Sequence, residues 1–101
     1  MNQNQSDQNE MKIEIQLDPE IMKGTYTNVT NIRHAKEEFV MDFLFIQNQP
    51  APFGKLVSRT ILSPGHAKRL LLALQENLRK YEDQFGIIDA GMQQPENRTL
   101  Q

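Results

Sequence analysis

The chain has 101 residues and a mass of 11.7 kDa, which is the size of one small domain and leaves no material for a second core. It contains no cysteine, which excludes disulfides, thiolate nucleophiles and zinc sites built on cysteine. A formal net charge of -2 gives no support to nucleic-acid binding. No apolar run approaches the roughly 20 residues of a membrane span, so we expect a cytoplasmic protein without a membrane partner.

Both ends of the chain are polar. Residues 1–10 contain no apolar side chain except Met1, and the sequence turns polar again from Asp89 onward. Such segments bury too little surface to offset their ordering entropy. The composition therefore predicts disordered tails at 1–10 and 89–101 and a single α+β domain at 11–88. Domains of this size often depend on a partner subunit for extra burial.

The first predicted strand covers residues 11–17, where apolar and polar side chains alternate strictly. The apolar positions are Met11, Ile13, Ile15 and Leu17, and the polar ones are Lys12, Glu14 and Gln16. A period of two indicates a strand with one buried face. Proline at position 19 ends it, because proline donates no ladder hydrogen bond.

Three further strands are predicted, at 25–33, 39–46 and 55–62. They are rich in β-branched and aromatic residues, and they are separated by a polar turn that begins at His34 and by a loop with Pro50 and Pro52. The segment 39–46 is apolar on both faces. Its even positions contribute Val40, Leu44 and Ile46, which we take as a candidate oligomer face.

A long helix is predicted to follow the last strand. Ser63 and Pro64 form a helix start, since serine accepts from the first-turn amides and proline fits the first helical position. Gly86 supplies the cap at the other end. One apolar stripe runs between them, and it consists of Ala67, Leu71, Leu74, Leu78, Tyr81 and Phe85.

Together these elements predict a four-stranded antiparallel meander with one long C-terminal helix packed on one face. A single helix covers only one side of the sheet, and the strand at 39–46 is apolar on both. We therefore expect a homo-oligomer, a dimer or larger, that associates through the uncovered face.

No catalytic, metal or cofactor site is predicted, and we do not expect an enzyme. His34 and His66 lack a third ligand at a recognisable spacing. Ser63 next to His66 is better explained as a helix cap than as a nucleophile with its base. Asp42, a carboxylate within an apolar strand, is expected to pair with Arg59 of the following strand.

A small basic cluster near the helix start is a candidate contact for an anion or an acidic partner. It consists of Arg59, His66, Lys68 and Arg69. Free amides at a helix start already favour anions. A solvated charged surface is the commoner reason for a cluster of this size.

Several motifs resemble a family of short prokaryotic proteins known as domain of unknown function 3467. They are Glu-Phe-x-x-Asp-Phe at 38–43, Ser-Pro-x-His-Ala-Lys at 63–68 and the stretches at 26–32 and 57–62. Family members tend to have Ser-Pro after the first histidine, where this chain has Ala35 and Lys36. The resemblance spans about residues 12–85 and implies no catalytic residues.

The predicted order of elements is also similar to an export-chaperone fold that binds unfolded chains in the grooves of a tetramer. We therefore expect a non-enzymatic protein-interaction or assembly module, with a chaperone-like role as one form of it. The alternative is a nucleic-acid or anion-binding accessory protein that uses the basic cluster.

Overall fold

A computed structural model describes residues 11–91 of the chain. Its elements in chain order are helix α1 (Pro19–Met22), strands β1 (Val29–Ala35), β2 (Glu38–Gln47) and β3 (Phe53–Leu62), and helix α2 (Pro64–Phe85). The predicted tail at 1–10, and residues 92–101 of the predicted tail at 89–101, lie outside the described residues. Residues 89–91 have no helix or strand.

The three strands form one antiparallel sheet in the order β1-β2-β3. A two-residue turn, Lys36 and Glu37, joins β1 to β2, so β1 continues through His34, which we had placed in the turn. Across the middle of the sheet, Asn31, Asp42 and Arg59 lie side by side. The register shifts after Phe43, where β3 contains one extra residue, as in a β-bulge.

The start of β1 is fixed to the end of β2 by Asn28. Its side-chain amide donates to the Ile46 carbonyl at 2.9 Å and accepts from the Ile46 amide at 3.0 Å. The Asn28 backbone amide also donates to the Leu44 carbonyl. One asparagine thus replaces a pair of ladder hydrogen bonds, and the predicted strand at 25–33 begins four residues later, at Val29.

The prediction of four strands is wrong for residues 11–17. This segment belongs to no strand, and its four apolar side chains are 63 to 75% exposed. A strand is stabilised by hydrogen bonds to a neighbour, and the described part of this chain gives the segment none. After it, Asp18 caps α1 by accepting from the Glu20 amide.

The C-terminal helix agrees with its sequence signals. Ser63 is extended, and its hydroxyl accepts from the His66 amide at 3.1 Å, while Pro64 occupies the first helical turn. Gly86 follows the helix with a φ of 107°, in the region that favours glycine. On the solvent side, Arg79 bonds to Glu76 and to Asp83.

Helix α2 lies on the face of β2 that presents Phe39 and Met41. An open apolar cavity of about 240 Å³ is lined by these residues, by Ile32 of β1 and by the first half of the helix. The helix contributes Ala67, Leu70, Leu71 and Leu74 to its lining. The even-numbered side chains of β2 alternate with Phe39 and Met41 along the strand, so they lie on the opposite face.

The described chain has no hydrophobic core of its own. None of its hydrophobic residues is buried, and Asp42 is the one buried polar residue among those described. The Cα radius of gyration is 18.7 Å, whereas a compact domain of 100 residues has about 13 Å. A single copy consequently leaves the side chains that should form a core in contact with solvent.

Candidate interaction surface

The face of the sheet turned away from α2 is called the far face here. Its central row on β2 consists of Val40, Asp42, Leu44 and Ile46. Register places Leu56 beside Leu44 and Ile61 beside Val40, and these two β3 side chains are 47 and 58% exposed. The predicted oligomer residues Val40, Leu44 and Ile46 thus lie on one surface, and no other described element covers it.

An ion cluster lies within this apolar surface. The Asp42 carboxylate accepts from Arg59 Nε at 2.6 Å and from Arg59 Nη2 at 3.0 Å, which is a bidentate pair across the β2–β3 ladder. Arg33 of β1 donates to the same carboxylate at 2.8 Å. The predicted pair of Asp42 and Arg59 is confirmed, and it is extended to all three strands.

The cluster stabilises the ionised form of its carboxylate. Hydrogen bonds from Arg59 and then Arg33 lower the pKa of Asp42 from 3.8 to about 2, against a smaller opposing effect of desolvation. The same contact raises the pKa of Arg59. Asp42 is itself 5% exposed, while the side chains of Arg33 and Arg59 are about half exposed. The cluster therefore presents cationic side chains at the surface and keeps its carboxylate beneath them.

Asn31 lies beside Asp42 in the same row and has an unpaired atom. Its Oδ1 is buried and accepts no hydrogen bond from the described residues. Buried acceptors without a donor cost free energy.

The predicted basic cluster is divided between two sides of the molecule. Arg59 lies on the far face and donates to Asp42, whereas His66, Lys68 and Arg69 belong to the first turns of α2, on the opposite face. Anion binding by these four residues stays a prediction. An anion bound near the start of α2 would contact His66, Lys68 and Arg69 without Arg59.

The two histidines lie on different elements. His34 is in β1 with its ring 5.6 Å from the ring of Phe39, and His66 is in the first turn of α2. Within residues 11–91, no three histidine or acidic side chains come close enough to hold a metal ion. The hydroxyl of Ser63 is engaged as the helix cap.

Two contacts were not predicted from the sequence. Arg33 was assigned to the end of a strand, and its place beside Asp42 depends on a register that the sequence does not fix. Asn28 lies within the strand predicted at 25–33, and its side-chain hydrogen bonds to Ile46 were not predicted. An asparagine among β-branched residues was the available signal, because asparagine is depleted in strands.

No curated protein and no solved structure matches the chain. None of the described helices is both long enough and apolar enough to cross a membrane. A family model described as "Protein of unknown function (DUF3467)" matches residues 1–90, which is most of the chain. The chain therefore belongs to the DUF3467 family.

Proposed function

We propose that this protein is a non-enzymatic interaction module that works as a homo-oligomer. The observation that carries the proposal is the absence of any buried hydrophobic residue within residues 11–91. Folding must offset a large conformational entropy by burying apolar surface, and a single copy of this fold buries little. A second copy supplies the missing contacts.

The far face is the proposed contact between copies. Val40, Leu44 and Ile46 are partly exposed there, and Leu56 and Ile61 extend the apolar surface onto β3. Obligate oligomer interfaces are apolar at their centres, and charged groups are retained there when they are paired. The triad of Arg33, Asp42 and Arg59 meets that condition.

Substitution at the far face tests the proposal. Leu44→Gln places a polar group in the contact, and we expect the dissociation constant of the oligomer, measured by sedimentation, to rise about ten-fold or more. The matched control is Lys36→Gln, which introduces the same side chain in the β1–β2 turn. Equal dissociation constants for the two variants would contradict the proposed contact.

A chaperone-like role is the narrower form of this proposal. Its support is the second half of α2, where Leu78, Tyr81 and Phe85 continue the apolar stripe beyond the cavity and are 42, 49 and 65% exposed. An exposed apolar stripe of this kind suits binding of an unfolded chain.

The test is whether the protein delays aggregation of a chemically denatured test protein. We expect Tyr81→Ser to reduce this activity and Asn77→Ser, on the same helix, to leave it unchanged. Failure of the wild type to delay aggregation would remove the chaperone-like role and leave the interaction module standing.

Anion binding ranks below assembly. Arg59 already donates two hydrogen bonds to Asp42, and His66, Lys68 and Arg69 belong to α2, on the opposite face of the sheet. Retention on heparin that weakens with salt and depends on Lys68 and Arg69 would reverse this order.

A further inference from the structure

We propose that residues 11–17 of one copy form the fourth strand of the sheet in a second copy, by antiparallel pairing along the outer edge of β1. This inference rests on the proposed homo-oligomer and adds a second contact between its subunits, beside the contact at the far face. The segment and β1 each have seven residues, and neither β1's outer edge nor the segment has a backbone partner among the described residues.

The chain carries the segment away from β1 of its own copy. Residues 18–27 connect the segment to Asn28, which precedes β1. Within this connection, Asp18 and Ile21 line a cleft with Phe43 of β2 and with Val57 and Ser58 of β3. Residues 11–17 therefore lead away from β2 and β3 and not from the outer edge of β1. The free edge of β1 lies on the other side of the same three strands, so a second copy is the source of its neighbour.

The apolar cavity lies where an added strand would cover it. Its lining comes from α2, β2 and Ile32 of β1, with no residue of β3. Ile32 is 56% exposed and Leu74 is 55% exposed, so the cavity is open along the β1 edge. Its volume of about 240 Å³ is below the range of roughly 300–1,000 Å³ for small-molecule sites, which favours protein side chains as its occupant.

One register matches both rows of the segment to β1. With Glu14 opposite Arg33, antiparallel pairing puts Ile15 opposite Ile32. Ile13, Ile15 and Leu17 then lie on the α2 side, where the cavity is. This arrangement agrees with the alternation of the segment, because the apolar side chains lie on the face that α2 covers and the polar side chains lie on the other face.

The polar row of the segment complements the far-face row of β1. In this register the Glu14 carboxylate adjoins Arg33, whose side chain is 46% exposed. Gln16 adjoins Asn31, so the two polar side chains share one face of the sheet. The charge pairing therefore selects the same register as the apolar side chains.

Amide hydrogen exchange on the full chain tests the pairing. In an edge strand every second amide is hydrogen bonded, so alternate amides within residues 11–17 should exchange at least about 100-fold more slowly than in an unstructured peptide. Sedimentation on the same sample gives the oligomeric state. An oligomer in which all seven amides exchange freely would overturn the strand addition alone, whereas a monomer would overturn the proposed function as well.

A spin label tests which copy and which edge receive the segment. The chain has no cysteine, so Lys12→Cys accepts one label at a position of the segment where substitution should leave the oligomer intact. Labelled chains without isotopes are mixed with ¹⁵N-labelled wild type, and amide signals of Val29–Ala35 in the ¹⁵N chains should broaden more than those of Phe53–Leu62. Absence of broadening, or broadening confined to β3, would contradict the inference.

Paired substitutions complete the test. Ile15→Gln removes an apolar side chain that faces the cavity, and it should raise the dissociation constant of the oligomer about ten-fold or more. Lys12→Gln introduces the same residue in the polar row of the segment, and it should change the dissociation constant less than about two-fold. An equal effect of the two variants would contradict the assigned polarity of the strand.

Discussion

Asp42 connects all three strands through its carboxylate, which accepts three hydrogen bonds from Arg33 and Arg59. An isolated buried carboxylate is costly, and these two guanidinium groups compensate for its desolvation. The sequence was sufficient to pair Asp42 with Arg59, because both lie in the middle of adjacent strands. Arg33 could not be added, since the pairing of β1 with β2 depends on where the turn falls.

Replacing Asp42 with Asn should change how stability depends on pH. The pKa of Asp42 is lowered from 3.8 to about 2 in the folded chain, so its ionised form contributes stability that is fully present above the unfolded pKa. That contribution is lost as pH falls from about 4 to 2. Urea unfolding at one chain concentration should give the wild type a larger free energy of unfolding than Asp42→Asn at pH 6. The difference between the two free energies should shrink towards pH 2. A difference that stays constant over this range would contradict the assignment.

Asn28→Ala should lower the free energy of unfolding by about 1–3 kcal/mol. The substitution removes both side-chain hydrogen bonds to Ile46, each with a typical net value near 1 kcal/mol. Urea unfolding measures the loss, and Asn48→Ala in the β2–β3 loop serves as the control. Equal stability of the two variants would show that the Asn28 contacts contribute nothing.

At the scale of elements, α2 was predictable because its signals are local. Ser63, Pro64 and Gly86 act within one turn of the helix, and the structure has all three in the expected roles. The strand at 11–17 was not predictable in the same way. Its alternation indicates which face is to be buried, but strand formation needs a neighbour, which residues 11–91 of one copy do not provide.

Gly65 within α2 and Gly86 at its C-terminal cap should respond in opposite directions to alanine. Gly86 has a φ of 107°, which alanine rarely adopts, so Gly86→Ala should destabilise by about 1–2 kcal/mol. Gly65 lies within the helix, and an added Cβ there meets Arg69 at an ordinary 3.5 Å. Gly65→Ala should stabilise by about 0.5–1 kcal/mol. Thermal unfolding of the two variants checks both signs, and a stabilising Gly86→Ala would contradict the cap.

At the scale of the whole molecule, the sequence predicted that one face of the sheet would remain uncovered. The extent of exposure was not foreseen, because it depends on how little of α2 and of residues 11–28 packs on the sheet. Even on the covered side, Leu71 and Leu74 are about half exposed. Side chains with core-like composition at exposed positions are typical of obligate interfaces, which resemble a domain core divided between subunits.

Sedimentation equilibrium of the wild-type chain, combined with thermal unfolding at several chain concentrations, tests assembly most directly. The account predicts a mass of at least two chains of 11.7 kDa at micromolar concentration. It also predicts an unfolding temperature that rises with chain concentration, because dissociation accompanies unfolding. A mass of one chain, together with cooperative unfolding at a temperature independent of concentration, would contradict it.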